Sequence, residues 1–321
     1  MLAAGASLTE HEGATTASRT ASARVVDILR RPRSARFQTG AVIVAIVILV
    51  GGTALALGSL PPRDELTWWP VVVLIVVGTP WQLCLLTLEV SLLGRIAGVT
   101  LARTTSLRVA VLGTAFNLLP IPGAVVTRLD ALVVAGAGVG VATGAIIVVG
   151  VIWLSIALLI AGGVLIGTTW FSVLFLAAGV ATGAGTVVLV RRSRRHLGRR
   201  ELASVCVLES AFVLTHATRL LLAFVAVGVS APLSAPLAMA SSTAISTSLG
   251  IVPGGLGVRE GLATFLGGVA GVAVGTALVV AVIDRAAAMI SALLGGAVVL
   301  PLLNRHDRRS RAATTGESTS G

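Results

Sequence analysis

The amino-acid sequence predicts an all-α polytopic membrane protein, with about six transmembrane helices and two re-entrant helical hairpins in an inverted-topology repeat. The 321-residue chain is 55% hydrophobic and only 12% charged, whereas soluble domains are about a quarter charged. Its apolar residues form runs of the length that spans a bilayer. Arginines account for all 24 basic residues and lie almost wholly between those runs, which is typical of membrane topology and not of a nucleic-acid-binding face.

Six segments are long and apolar enough to cross the membrane, and two further apolar segments are interrupted by proline and glycine. The six predicted spans cover 41–60, 71–93, 143–165, 170–190, 202–229 and 272–302. The interrupted segments cover 106–138 and 236–270, with the centres Pro120-Ile121-Pro122-Gly123 and Pro253-Gly254-Gly255. We expect each interrupted segment to enter the membrane, turn at its centre and leave on the side where it entered.

The distribution of arginine predicts the orientation of the chain in a plasma membrane. Most arginines lie in the first 38 residues, in 95–108, in 191–200 and after 304, so these regions and both termini should face the cytoplasm. A single crossing by 106–138 would place the 191–200 cluster outside, so this segment should be a hairpin that enters from the cytoplasm. The same count of membrane crossings makes 236–270 a hairpin that enters from the outer face.

The predicted domain organisation is one membrane domain, 39–303, between two arginine-rich cytoplasmic tails, 1–38 and 304–321, that we expect to be disordered. The membrane domain divides into halves of about 39–166 and 167–303. The first tail lacks the pattern of a signal peptide because the apolar run that follows it is too long and too far from the start.

An internal repeat relates the two halves. An offset of 131 residues, which places Pro122 on Pro253, also places Arg128 on Arg259 and 140–142 on 271–273. Because three spans separate equivalent points, the two halves should have opposite orientations. Inverted repeats of this kind are typical of transporters, whose binding site lies near mid-membrane where the broken helices meet.

The most specific motif is the segment 253–261, which reads Pro-Gly-Gly-Leu-Gly-Val-Arg-Glu-Gly. Its proline and paired glycines end the descending half-helix, and Gly257 permits close backbone approach. The returning half-helix begins with free amide groups at the positive end of its dipole. Together with Arg259, this predicts a binding site for an anion such as a lipid phosphate. Alternatively, the glycines only build a tight turn, and Arg259 and Glu260 neutralise each other.

The motif resembles the membrane domain of lysylphosphatidylglycerol synthases, also called flippase-like proteins, in which a Pro-Gly-Gly-x-Gly-x-Arg-Glu-like stretch lies in the second half. The resemblance covers roughly 41–302 and extends to Asn117-Leu118-Leu119-Pro120, Arg128 and Asp284-Arg285. It implies a membrane domain that moves or presents a phospholipid or a polyprenyl-phosphate lipid between leaflets.

The resemblance also implies roles for individual residues. Arg259 and Arg128 would hold the phosphate, while Glu260, Asp284 and Arg285 would balance charge or gate access. Members of the family carry Gly-Glu shortly before the first-half arginine, where this chain has Ala124-Val125, and Asp130 is the alternative carboxylate. The synthases also carry a soluble catalytic domain after the membrane part, so we do not expect this chain to transfer lysine alone.

Other polar residues in the apolar runs are either members of structural ion pairs or functional groups. They are Glu89, Glu209, His216 and Arg219. We expect Arg219 to pair or to extend toward the membrane interface, and His216 to be a packing residue. Asp284 and Arg285 point about 100° apart on a helix, so we expect them to pair with other helices and not with each other.

The expected partners are membrane lipids, recognised through a phosphate or an anionic headgroup, and a separate cytoplasmic or membrane synthase as a further candidate. The sequence shows no arrangement that singles out a nucleophile, a metal site or a nucleotide-binding loop, so we predict no cofactor, no metal and no catalytic residue. The alternatives are a partner-dependent glycosyl- or aminoacyl-lipid transferase component, a non-transporting scaffold, and a small-solute or ion transporter.

Overall fold

A computed structural model describes residues 67–116, 123–192, 198–249 and 257–317. Within these ranges the chain is helical and contains no β-strand. In chain order the elements are α1 (Trp69–Val73), a π-helical turn (Leu74–Gly78), α2 (Thr79–Ile96), α3 (Arg103–Phe116), α4 (Gly123–Val134), α5 (Val139–Val164), α6 (Phe171–Arg192), α7 (Arg199–Ala226), α8 (Ser234–Leu249), α9 (Val258–Val269) and α10 (Val274–Glu317).

Five helical segments in the described residues are long and apolar enough to cross a membrane. They are Trp69–Ile96, Val139–Val164, Phe171–Val190, Arg199–Ala226 and Val274–Ala297. Each coincides with a predicted span, so the prediction of an all-α polytopic membrane protein is confirmed. The remaining predicted span, 41–60, lies outside the described residues.

Two pairs of shorter helices form the predicted hairpins. Helices α3, α4, α8 and α9 contain 12 to 16 residues and are therefore about 18 to 24 Å long, less than the bilayer core. Both pairs are antiparallel: Gly113, late in α3, lies against Ala124, early in α4, while Gly267, late in α9, lies against Met239, early in α8. The turns between them, 117–122 and 250–256, lie outside the described residues.

The two halves repeat the same helix contacts. In each half the first hairpin helix packs on the preceding span, as α3 does on α2 and α8 on α7, and the second packs on the following span, as α4 does on α5 and α9 on α10. The first hairpin helix of each half also packs on the last span of the other half, as α3 does on α10 and α8 on α5. The halves are therefore intertwined and share one core.

The equivalent spans of the two halves run in opposite directions. The backbone N–H of Thr67 donates to Ala226 O at 3.0 Å, and further along the span Trp69–Ile96, Gln82 Nε2 lies 3.4 Å from His216 Nε2. Residue numbers thus increase along Trp69–Ile96 in the direction in which they decrease along α7. This antiparallel pairing is what an inverted-topology repeat requires.

The register of the repeat differs from the predicted offset of 131. Gly98 and Gly228, which follow α2 and α7 at φ 77° and 73°, are 130 residues apart, whereas Gly136 and Gly271, which follow the hairpins at φ 100° and 88°, are 135 residues apart. The second hairpin is therefore longer. The match of 140–142 to 271–273 is incidental, because α5 and α10 begin at Val139 and Val274.

This longer hairpin separates the two hairpin arginines by one helical turn. Arg259 is the second residue of α9, whereas Arg128 is the sixth residue of α4. Four residues are close to one turn of helix, so both side chains lie on the same face of their helices but at different heights. The prediction that they occupy equivalent positions is wrong for this reason.

The span Trp69–Ile96 contains a π-helical turn, Leu74–Gly78, which ends two residues before Pro80. Proline has no N–H to donate to the carbonyl four residues earlier, and its ring crowds that carbonyl. The helix widens for one turn before regular α-helix resumes. Turns of this kind occur frequently at functional sites.

The last helix continues beyond its predicted end. Helix α10 runs through Pro301 to Glu317, so the tail at 304–321 that we predicted to be disordered is helical as far as Glu317. The segment after Pro301 is rich in arginine and alanine and contains no glycine before Gly316. Arginine and alanine have high helix propensity, which favours continuation of the helix.

Small residues allow α5 and α6 to pack closely. A Cβ added to Gly162 would lie 2.7 Å from Leu176 Cγ and 2.8 Å from Leu176 N, and one added to Gly179 would lie 2.9 Å from Leu159 Cγ. The hydroxyl of Ser155 donates to Gly179 O at 2.7 Å across the same contact. Small residues and interhelical hydrogen bonds are the usual means of helix association in membranes.

Replacing Gly162 by alanine should therefore lower the thermal stability of the detergent-solubilised protein. The added methyl group meets backbone as well as side chain, and overpacking of this kind typically costs about 1–3 kcal/mol. Gly163→Ala is the control, because a Cβ there would have no atom within 4 Å. Unfolding followed by tryptophan fluorescence measures the difference, and equal unfolding temperatures for the two variants would contradict the close packing.

Candidate functional site

Five charged side chains from α7, α9 and α10 form one cluster, which we call the cationic cluster. Its members are Arg219, Arg259, Glu260, Asp284 and Arg285. Asp284 bridges two of the arginines: Arg219 Nε donates to its Oδ1 at 2.8 Å, and Arg259 Nη2 donates to its Oδ2 at 2.8 Å. Arg219 Nη2 also donates to the Asp284 backbone oxygen at 3.0 Å.

Glu260 holds the start of α9 and pairs with Arg285. Gly257 has φ 76°, a conformation that favours glycine, and its N–H donates to Glu260 Oε2 at 2.8 Å. Glu260 Oε1 accepts from Arg285 Nη1 at 2.5 Å. This is a helix cap in which a carboxylate three residues into the helix satisfies the amide before it. The direct partner of Glu260 is therefore Arg285 and not the neighbouring Arg259, which donates to Asp284.

The two halves of the cluster differ in exposure. Arg219 and Asp284 are each 1% exposed, and Arg219 Nη1 donates to Gln82 Oε1 at 2.5 Å. Arg219 is thus a buried partner of α10 and does not extend toward the interface. The Arg259 side chain is 21% exposed, and among the described residues it donates to Asp284. The expectation that Asp284 and Arg285 pair with other helices and not with each other is confirmed, since Asp284 pairs with α7 and α9 and Arg285 pairs with α9.

The cationic cluster carries a formal charge of +1, because three arginines share two carboxylates. His216 lies one turn before Arg219 on α7, and its Nε2 faces Gln82 of α2. The side chain is buried, as expected of a packing residue. The surplus positive charge is shared by Arg219 and Arg259, which both bind Asp284, and Arg259 is the more exposed of the two. Such an arrangement suits an anionic ligand.

A second cluster joins α2, α4 and α7, and we call it the acidic cluster. Arg128 Nη1 and Nη2 donate to the two oxygens of Glu89 at 2.7 and 2.8 Å, a bidentate ion pair. Glu209 lies within electrostatic range of both Glu89 and Arg128. Its side chain is 2% exposed, and Oε1 has no hydrogen-bond partner among the described residues. With both carboxylates ionised, this cluster has a formal charge of −1.

Arg128, which was predicted to hold the phosphate together with Arg259, donates from both Nη atoms to Glu89, and its phosphate-binding role stays a prediction. The structure therefore places Arg128 in the acidic cluster and Arg259 in the cationic cluster. Asp130, the alternative carboxylate of the first half, is exposed. Asn117, Pro253, Gly254 and Gly255 lie outside the described residues.

The two clusters lie one above the other between α2 and α7. Gln82 and Glu89 are seven residues apart on α2, as are His216 and Glu209 on α7, which corresponds to about 10 Å along each helix. At that distance and an effective dielectric constant of about 20, opposite unit charges attract by about 1.7 kcal/mol. A charged side chain at mid-membrane costs about 2.5–3.5 kcal/mol even on insertion scales. The clusters therefore compensate each other only in part.

Sequence reasoning missed Gln82 and left Glu89, Glu209 and Arg219 outside the predicted site. The spacing of Gln82 and Glu89 within one apolar span was the available signal, because residues seven apart share a helix face. The spacing of Glu209 and His216 repeats it. Polar residues at this spacing on two spans indicate a shared polar interface.

The fold and the two clusters define a polytopic helical membrane protein with inverted halves and charged side chains in its core. No family model matches this chain, and no curated protein is significantly similar to it. The resemblance to the membrane domain of lysylphosphatidylglycerol synthases stays a prediction that rests on the motif residues.

Proposed function

We propose that this protein moves a phosphate-bearing lipid, either a phospholipid or a polyprenyl-phosphate lipid, between the leaflets of the plasma membrane. The observation that carries the proposal is the surplus positive charge of the cationic cluster, with the partly exposed Arg259 at its edge. Guanidinium groups bind phosphate through charge-assisted and often bidentate hydrogen bonds. A bound phosphate would reduce the formal charge of the cluster toward zero.

The remaining members of the cluster position Arg259. Asp284 fixes one side of its guanidinium and is itself held by the buried Arg219. Glu260 and Arg285 fix the first turn of α9, on which Arg259 lies. The start of α9 adds the positive end of a helix dipole. In inverted-repeat transporters the broken helices supply such sites near mid-membrane, which agrees with this arrangement.

The proposed orientation has both termini and the arginine-rich segments in the cytoplasm. On this arrangement the second hairpin enters from the outer face and the first from the cytoplasmic face. Arg259 and Arg128 then lie on hairpins that open to opposite sides. A lipid headgroup passing between them would leave its acyl or polyprenyl chains in the bilayer.

The proposal is tested by leaflet-resolved movement of labelled lipids in proteoliposomes of the purified protein. A phospholipid and a polyprenyl phosphate are compared with matched phosphate-free lipids, a diacylglycerol and a polyprenol. We expect the protein to accelerate movement of at least one phosphate lipid while leaving the phosphate-free controls at the rate of protein-free liposomes. No acceleration of either phosphate lipid would contradict transport and favour the partner-dependent transferase or scaffold alternatives.

A further inference from the structure

Glu209 is a buried carboxylate that the proposed lipid site does not use. The ionisable groups that face it are Glu89 from α2, Arg128 from α4 and Cys206 from its own helix. Helix α7 also packs on α5, α8 and α10. Helices α5 and α8 contain no ionisable residue, and the charged residues of the described part of α10 that approach α7, Asp284 and Arg285, belong to the cationic cluster.

The acidic cluster contains two carboxylates and one guanidinium. Arg128 gives both Nη atoms to Glu89, so an ionised Glu209 would be a second negative charge without a cation of its own. Burial of an unpaired charge is costly, and a nearby like charge raises that cost. With one proton on Glu209 the cluster is neutral, and one of the two carboxyl oxygens, Oε1 or Oε2, becomes a hydroxyl donor.

We infer that Glu209 is a proton-binding site, which holds one proton in the resting protein and releases it to water during the transport cycle. Arg128 governs the release, because it is the cation of the acidic cluster and favours ionisation of whichever carboxylate it contacts. If its guanidinium shifts from Glu89 toward Glu209, the proton leaves Glu209 and Glu89 becomes the carboxylate that accepts one. The proton enters from water on one side of the membrane and leaves to the other.

This inference supplies an energy source for the proposed lipid movement. One anion at the cationic cluster and one proton at the acidic cluster leave neither cluster with a net formal charge. Burying these charged groups in the membrane therefore costs less free energy when the phosphate and the proton are both bound. The coupling rests on the proposed function, whereas the proton site itself does not.

The proton site is tested by infrared difference spectroscopy of the full chain in lipid. We expect a carbonyl band of a protonated carboxylic acid that shifts in D₂O, is lost in Glu209→Gln and is retained at a shifted position in Glu209→Asp. Glu209→Gln should fold, because an amide closely matches the protonated acid in shape. Asp130→Asn, on an exposed carboxylate, is the control and should keep the band. An unchanged band in Glu209→Gln would overturn the proton site.

The coupling is tested in the proteoliposomes by imposing a pH gradient. We expect the gradient to change the rate of phosphate-lipid movement at least about tenfold in the native protein and to have no effect in Glu209→Gln. If the native protein moves phosphate lipid at the same rate with and without the pH gradient, the coupling is overturned and the proposed function is unaffected. Loss of the acid band in Glu209→Gln, without lipid movement by the native protein, would support the proton site and reject the proposed function.

Discussion

Replacing Asp284 by alanine is expected to lower the free energy of unfolding by about 3–5 kcal/mol, the range typical when one partner of a buried ion pair is removed. Asp284 accepts hydrogen bonds from both Arg219 and Arg259. Without it, the fully buried Arg219 keeps Gln82 as its side-chain acceptor but has no anion beside it. Thermal and denaturant unfolding in detergent, together with the yield of monodisperse protein, measure the loss.

Two further variants separate this ion-pair effect from a general effect of substitution. Asp130→Ala removes an exposed carboxylate and should leave stability within about 0.5 kcal/mol of the native value. Asp284→Ala combined with Arg219→Met removes both buried partners and should recover part of the loss, because an apolar pair of similar volume is often tolerated. Native-like stability of Asp284→Ala alone would contradict the bridging role.

Replacing Arg259 by alanine is expected to slow phosphate-lipid movement by roughly 10- to 100-fold while the protein still folds. Hydrogen bonds to charged groups contribute about 1.5–3 kcal/mol, and about 1.4 kcal/mol corresponds to a factor of ten. The substitution also removes the surplus charge of the cationic cluster. Folding should persist because Arg219 remains paired with Asp284. Initial rates of leaflet-resolved lipid movement provide the measurement.

Controls for Arg259 distinguish a specific site from general loss of positive charge. Arg259→Lys should give an intermediate rate, since an ammonium group keeps the charge but not the bidentate geometry. Arg103→Ala removes an exposed arginine at the start of α3 and should leave the rate unchanged. If Arg259→Ala moves lipid as fast as the native protein, the proposed phosphate site is wrong.

The fold was largely predictable because hydropathy and arginine placement are read directly from sequence. Runs of apolar residues predicted the spans. The number of crossings that keeps the arginine-rich segments on one side of the membrane predicted that the two interrupted segments are hairpins. The register of the repeat was not predictable in the same way. Glycine and alanine are so abundant that 140–142 matched 271–273 by chance, while the longer second hairpin displaces Arg259 from the position of Arg128 by one turn.

The candidate site was predicted in part. The motif arginine Arg259 and the pair Asp284-Arg285, which the resemblance assigns to one site, do meet in one cluster. Arg128 was assigned to the same site, but its partner Glu89 lies on another span, and no local pattern shows which helices pack together. The burial of Arg219 could not be predicted either, since sequence does not give the depth of a residue within a helix bundle.

The location of a lipid phosphate on the protein is the measurement that most directly tests the anion site. A phosphate lipid with a photoreactive group beside its phosphate is illuminated in proteoliposomes, and the crosslinked residues are mapped by mass spectrometry. We predict crosslinks to the first turn of α9 and to α10 around Asp284, and their loss in Arg259→Ala. Identical crosslinks in Arg259→Ala, or crosslinks confined to the arginine-rich loops, would contradict a phosphate site at Arg259.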